Sequence, residues 1–140
     1  SPQLRALHEP GVQLPLCADG FGRNSGRNHL PGHPLHYAAA KHGIIGLNKS
    51  IAMDVADHNI NANVVCPGTV WTTMMKGIAE SFGMDDEEGK EQFFAGHLLK
   101  ERELTSEDIG MAVLWLCTDA AANITGNIIT VDQGWTAQAP

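Results

Sequence analysis

Between Tyr37 and about Ala56, apolar residues return at helical spacing: Ile44, Leu47, Ile51 and Val55 are separated by polar Asn48, Lys49 and Asp54. Residues three and four apart share one helix face, so this stretch is predicted to be an amphipathic helix. Ile60 to Val65 is a short β-favouring run that halts at Cys66-Pro67-Gly68, where proline withdraws a ladder donor; it is predicted to be a buried strand. From 72 to 104, apolar Met74, Met75, Phe82, Phe93, Phe94, Leu98 and Leu99 alternate with acidic stretches such as Asp85 to Glu88, the texture of short mobile helices. Thr105 followed three residues on by Asp108 has the form of a helix N-cap. The helix it opens carries Ile109, Ala112, Val113, Leu114, Trp115 and Leu116, apolar on most faces and therefore expected to be deeply packed. Asn127 to Val131 is a second β-like run, closed by Asp132, Gln133 and Gly134.

Strands separated by helices pair in parallel through right-handed crossovers, which makes the fold class α/β. Two parallel strands leave their edges and faces open, whereas parallel sheets occur as several strands covered on both sides. The fold is therefore expected to be part of a larger sheet. Upstream, only Val12 to Cys17 offers weak strand material, and Pro15 interrupts it. Residues 1 to 36 hold five of the seven prolines and four of the seven histidines with no apolar period, so they are expected to be irregular or disordered. The principal boundary is read at residue 36, with residues 37 to 140 as the structured part.

Charge and cysteine content narrow the partners. Sixteen acidic against nine basic side chains give a net charge of −7 in a chain of 140 residues. That removes the basic footprint of a nucleic-acid or anionic-membrane binder and points to small molecules or proteins. No apolar run approaches the length of a membrane span and no leader pattern is visible, so cytoplasm is the expected compartment. Cys17, Cys66 and Cys117 are too few and too widely spaced for a disulfide framework and are expected to be buried thiols. His29, His33 and His36 have metal-ligand chemistry, but Pro31 and Pro34 deny them a helix, so no metal site is expected.

The sole tyrosine, Tyr37, precedes Lys41 by four residues at the start of the first helix, so both side chains leave one face a turn apart. A phenol near an ammonium can exchange a proton with a substrate hydroxyl or carbonyl, because the ammonium favours the phenolate. The neighbours of the pair extend the pattern. Tyr37-Ala-Ala-Ala-Lys41-His-Gly-Ile-Ile-Gly-Leu47, then Asn61-Ala-Asn-Val-Val-Cys-Pro67-Gly68-Thr-Val70-Trp-Thr72, then Ile124-Thr-Gly-Asn-Ile-Ile-Thr-Val-Asp132-Gln-Gly134-Trp resemble, in order, the short-chain dehydrogenase/reductase family.

This resemblance covers about Pro31 to Ala139, the C-terminal portion of a typical member, and implies part of a Rossmann-type doubly wound parallel sheet with NAD or NADP as cofactor. It implies hydride transfer between a secondary alcohol and its ketone, with Tyr37 as general acid or base. Lys41 would lower the tyrosine pKa and hold the nicotinamide ribose. Pro67 and Gly68 would shape the cofactor turn, Val70 would meet the carboxamide through its backbone, and Thr72 would contact the carboxamide or pyrophosphate. Residues 73 to 104 would form a substrate loop that closes over the site. The ending is similar to that of bacterial 3-hydroxybutyrate dehydrogenases, with Gln133 where a glycine is usual, so a different turn backbone is expected there. The resemblance also implies a homo-oligomer built through the tyrosine helix and the last strand.

The departures are equally specific. The family's glycine-rich turn has no counterpart, since Gly20-Phe-Gly22-Arg-Asn-Ser-Gly26 follows no credible strand and has a different spacing. The family's catalytic serine falls at Asn24, one residue before Ser25, which becomes the candidate substrate-oxygen donor. The alternative reading is a non-catalytic truncated fragment whose apolar helices serve oligomerisation or interaction.

Overall fold

The computed structural model of the chain describes residues 13–17 and 35–138. In chain order these form β1 (Gln13–Cys17), α1 (Leu35–Asp54), β2 (Asn61–Pro67), α2 (Thr73–Ser81), α3 (Asp86–Phe94), α4 (Ser106–Leu116) and β3 (Ile128–Val131). The three strands make one parallel sheet in the order β1-β2-β3. Gln13 stands opposite Asn61 and Cys17 opposite Val65, while Val64 stands opposite Ile128 and Pro67 opposite Val131.

The sheet thus has one strand more than the two firmly expected, and β1 lies within the stretch whose prolines suggested irregular structure. Pro15 is tolerated because β1 is paired on one side only among the described residues, where a missing donor costs least. The side chains of β2 alternate between two covers. Val64 and Cys66 meet Ile44 and Ile45 of α1 on one face, with Ile128 beside them. Val65 meets Leu116, Ile109 and Val113 of α4 on the other face, together with Ala121, Ile124 and Ile129. Helices on both faces are what a parallel sheet requires, and the doubly wound α/β class follows.

The polar positions of β2 have their own task. Asn61 and Asn63 share the α4 side and are buried, so their amides must find partners. Asn61 Nδ2 donates to the Ala122 carbonyl (2.9 Å) and Asn63 Nδ2 to the Ile124 carbonyl (2.8 Å), while Asn63 Oδ1 accepts the Asn127 amide (3.1 Å). The Ala62 amide donates to Thr125 Oγ1 (3.1 Å). These bonds fasten the loop that leads into β3 and so set the β2–β3 register.

Helix starts follow their caps. Asp85 with Glu88 and Thr105 with Asp108 each form a capping box, the second as the sequence pattern anticipated. The backbone hydrogen bond from Thr105 is the main cause that holds the Asp108 carboxyl below the usual carboxylate range, with Arg102 paired to the same group.

Three packing details depart from the sequence pattern. In α1 the stripe facing the sheet runs through Asn48, 0% exposed, and Ala52, whereas Leu47 is 54% exposed. A helix advances about 100° per residue, so a stripe through Ile44, Asn48 and Ala52 leaves Leu47 on the flank. In α4 only Leu116 is fully buried; Met111, Leu114 and Trp115 stand exposed, because a helix lying on a sheet hides one face whatever the composition of the other. Cys66 is buried as expected, but Cys117, just past the end of α4, is exposed.

Replacing Asn63 by alanine removes one donor and one acceptor and strands buried backbone groups of the 124–127 loop. Asn63→Ala is expected to lower the unfolding free energy by about 1–3 kcal/mol, read from the denaturant midpoint at unchanged slope.

Candidate functional site

Parallel strands end together, and a helix that connects two of them runs back along the sheet. The contacts of α1 give its direction: Ile44 and Ile45, near its start, meet Cys66 and Val64, while Ala52, near its end, abuts Gly126 just before β3. Its first two turns, with Tyr37 and Lys41, therefore lie toward the C-terminal end of the sheet, where β2 stops at Pro67. Lys41 Nζ sits 5.5 Å from the centroid of the Tyr37 ring, a cation–π approach. The spacing of four had anticipated this pairing, and the structure brings the two side chains together.

The turn that leaves β2 is built by its neighbours. The Gly68 amide donates to the Val131 carbonyl (2.9 Å), extending the ladder one residue past the strand. A Cβ on Gly68 would lie 2.9 Å from the Asp132 Cα and 2.9 Å from His97 Nε2, so only glycine fits between the two supports. The Thr69 amide donates to His97 Nε2 (3.2 Å). Thr72 ends the turn as the N-cap of α2, its Oγ1 accepting the Met75 amide (3.4 Å). Val70 and Thr72 are half-buried, and two buried polar atoms of the turn, Thr69 Oγ1 and Trp71 Nε1, have no hydrogen-bond partner.

The turn after β3 supports this one. Asp132 is buried, and its carboxylate accepts the Gly134 amide (3.0 Å), the Thr136 amide (2.9 Å) and the Thr136 hydroxyl (2.7 Å). Gln133 adopts a left-handed backbone (φ 51°) and Gly134 follows at φ 80°. The glutamine stands in a conformation that favours glycine, and its side chain donates from Nε2 to the Arg102 carbonyl (2.8 Å). Trp135 packs over Gly96, where a Cβ would come within 2.6 Å of the indole.

Helices α2 and α3, in the stretch expected to be a closing loop, pack on each other through Met75, Ala79 and Phe93, with Trp71 and Met84 alongside. An open groove of about 430 Å³ follows, lined by Glu87, Glu91, Phe94, Leu99, Arg102 and Gln133 among others. Neither the Tyr37–Lys41 pair nor the 67–72 turn lines it. Ser25 and the Gly20–Gly26 stretch lie outside the described residues, as do His29 and His33.

Residues 23–136 match the family model described as enoyl-(acyl carrier protein) reductase. The chain is 36% identical over 137 residues to a D-beta-hydroxybutyrate dehydrogenase of Rhizobium meliloti (strain 1021), covering 91% of this chain and 53% of that protein. The chain belongs to the short-chain dehydrogenase/reductase family. It is also 37% identical over 107 residues to a 3-oxoacyl-[acyl-carrier-protein] reductase of Chlamydia muridarum (strain MoPn / Nigg), covering 75% of this chain and 40% of that one. The crystal structure of a short-chain dehydrogenase family protein from Francisella tularensis subsp. tularensis SCHU S4 superposes with a TM-score of 0.75 at 27% identity, covering 92% of this chain and 52% of that one. The chain spans about half the length, or less, of these relatives, in line with a C-terminal portion of the Rossmann-type sheet of the short-chain dehydrogenase/reductases. The match begins upstream of the boundary read at residue 36 from proline content.

Sequence reasoning anticipated the closeness of Tyr37 and Lys41 and the strand stop at Pro67 but gave no place to His97, and it read Asp132 only as a strand terminator. Asp132-Gln-Gly134 carried a signal, since an aspartate two residues before a glycine favours a side-chain-closed turn. His97 carried none, because its role arises from contacts between segments far apart in sequence.

Gly68→Ala tests the fit of the turn. The added methyl meets backbone on one side, so the turn must shift, and a loss of about 1–3 kcal/mol in stability is expected by denaturant unfolding.

Proposed function

We propose that this chain carries the catalytic and nicotinamide-side part of an NAD(P)-dependent oxidoreductase that interconverts a secondary alcohol and its ketone. The observation that carries the reading is the Tyr37–Lys41 pair, on one helical turn at the same end of the sheet as the Pro67–Thr72 turn. Ligands of open α/β sheets bind beyond the C-terminal ends of the strands, which supports the location. The likeness to a D-beta-hydroxybutyrate dehydrogenase favours a short 3-hydroxy acid as the first substrate to try.

The residues present fit the nicotinamide end of the cofactor. Lys41 offers an ammonium with three donors for ribose hydroxyls. The Pro67–Thr72 turn offers backbone groups at Val70, the hydroxyl of Thr72, and the buried unpartnered Thr69 Oγ1 and Trp71 Nε1, a donor set suited to a carboxamide. Bound there, the nicotinamide supplies or accepts the hydride. The work of the chain is proton handling and orientation. In reduction, the Tyr37 hydroxyl gives its proton to the ketone oxygen as that oxygen gains charge, and Lys41 stabilises the phenolate left behind. In oxidation the same phenolate takes the alcohol proton. Ser25 is proposed as a further donor to the substrate oxygen, and the α2–α3 segment as the cover that excludes water.

The exposed apolar side chains Met111, Leu114 and Trp115 favour a second reading, in which the fragment serves association and not turnover. Both readings are separated by one set of measurements. Saturating NADH is expected to raise the melting temperature of the purified chain by mass action. Tyr37→Phe is expected to lower kcat for 3-hydroxybutyrate oxidation by about 10²–10⁴-fold, the usual share of general acid–base catalysis, with the melt unchanged. An unmodified chain that neither responds to NADH nor oxidises any secondary alcohol sinks the enzyme reading and leaves the association module.

A further inference from the structure

His97 is the most enclosed imidazole among the described residues, 2% exposed, and it stands where three segments converge. The first is the turn after β2: the Thr69 amide donates to Nε2 at 3.2 Å. The second is the end of α3, where the Phe94 ring lies 5.2 Å from the imidazole, centroid to centroid. The third is the turn after β3, where Trp135 meets the imidazole edge-on at 5.3 Å and the Leu98 amide, next to His97, donates to the Gln133 carbonyl (2.9 Å).

A backbone N–H can be received only by an unprotonated ring nitrogen, so Nε2 is the acceptor and the ring proton resides on Nδ1. Nδ1 and Gln133 Oε1 are both buried and make no hydrogen bond of ordinary length, yet the Gln133 side chain is near enough to favour the ring's charged form. A second proton on the ring would set Nε2–H against the Thr69 N–H, donor facing donor at 3.2 Å.

We propose that neutral His97 is a positioning residue that locks the Pro67–Thr72 turn through the Thr69 amide, and that protonation of its Nε2 releases the turn, making the nicotinamide seat acid-sensitive. The lock itself stands on contacts within the chain; only its consequence for binding rests on the reading of the turn as that seat.

The surroundings support the neutral state. Burial is the main cause that lowers the His97 pKa below the ordinary histidine value, and Lys100 acts the same way, while Gln133 and the charge of Asp132 act against it. Asp132 and Lys100 are the charged groups that act on the ring, the β2 turn presents uncharged Thr69, and His97 also borders the groove lined by Glu87, Glu91 and Lys90 of α3 and by Arg102 and Glu103. A histidine lowered on folding is protonated first in the unfolded chain. Its stabilisation is complete above the ordinary value of about 6.5 and is lost as pH falls from there toward the folded value.

The discriminating variant is His97→Gln, whose Oε1 can take the place of Nε2 as acceptor but does not titrate. With the full ¹⁵N-labelled chain, the Thr69 amide resonance is expected to move as pH falls below the ordinary histidine value of about 6.5, in step with the His97 ring protons, and to stay fixed in His97→Gln. The fall in melting temperature over the same range is expected to be smaller in His97→Gln than in the unmodified chain. In His97→Ala the Thr69 amide is expected to lose hydrogen-exchange protection at every pH, and NADH affinity to drop about tenfold, the size of one lost hydrogen bond to a buried group. A Thr69 amide that ignores the His97 titration in the unmodified chain overturns the proposal, whether or not either variant folds. Parallel pH curves for the unmodified chain and His97→Gln overturn it too. A Thr69 amide that follows His97 but ignores NADH supports the lock and defeats the reading of the turn as the nicotinamide seat, so the two failures are distinct.

Discussion

Val64 and Val65 are neighbours in sequence and look to opposite sides of the sheet, one toward α1 and the other toward α4. That alternation on β2, with a parallel partner along each edge, is the constraint on which the other elements depend. A fully buried Val contributes about 1.5–3 kcal/mol, but only if its cover is in place. Because β2 needs cover on both faces, α1 and α4 must lie on opposite sides. With α1 on its side and running back along the strands, its N-terminal turn has to arrive at the sheet end where β2 gives way to Pro67. That the Tyr37–Lys41 end of α1 and the 67–72 turn lie toward the same end of the sheet is thus a by-product of packing the middle strand.

The end of the sheet is then organised by polar groups. Asp132 closes one turn with three hydrogen bonds, His97 receives the amide of another, and Gly68 leaves room for both. Burial raises the stakes of each bond, since a buried donor left unmade costs more than the bond itself adds. The two turns are coupled in this way, although sixty residues of chain separate them.

Legibility in the sequence divided along physical lines. Where a signal is local it was readable: the Thr105–Asp108 cap, the strand stop at Pro67, the pairing of Tyr37 with Lys41, and the α/β alternation. Where the outcome depends on which face meets what, it was not. Asn48 is enclosed while Leu47 is exposed, because the stripe is chosen by the position of the sheet and not by polarity at each residue. The apolar composition of α4 suggested burial on most faces, but one sheet can cover only one face. β1 was discounted because Pro15 speaks against a central strand, and it pairs on one side only among the described residues. His97 was invisible for a similar reason, since its contacts come from three segments that nothing in the linear pattern links.

The capping boxes at Asp85 and Thr105 have a kinetic consequence. Each is closed within three residues, so α3 and α4 can form on the submicrosecond scale of isolated helices. The strands have no such shortcut: the Asn63 side chain must find the Ile124 carbonyl sixty-one residues away before the last register is fixed. Loop closure of that span precedes the reward it brings, and parallel pairing is slow for this reason. Newly made helices with bare Ile109, Val113 and Leu116 therefore wait for their sheet. During that interval the chain is at its most adhesive, and refolding at high dilution should recover more native protein than refolding at high concentration.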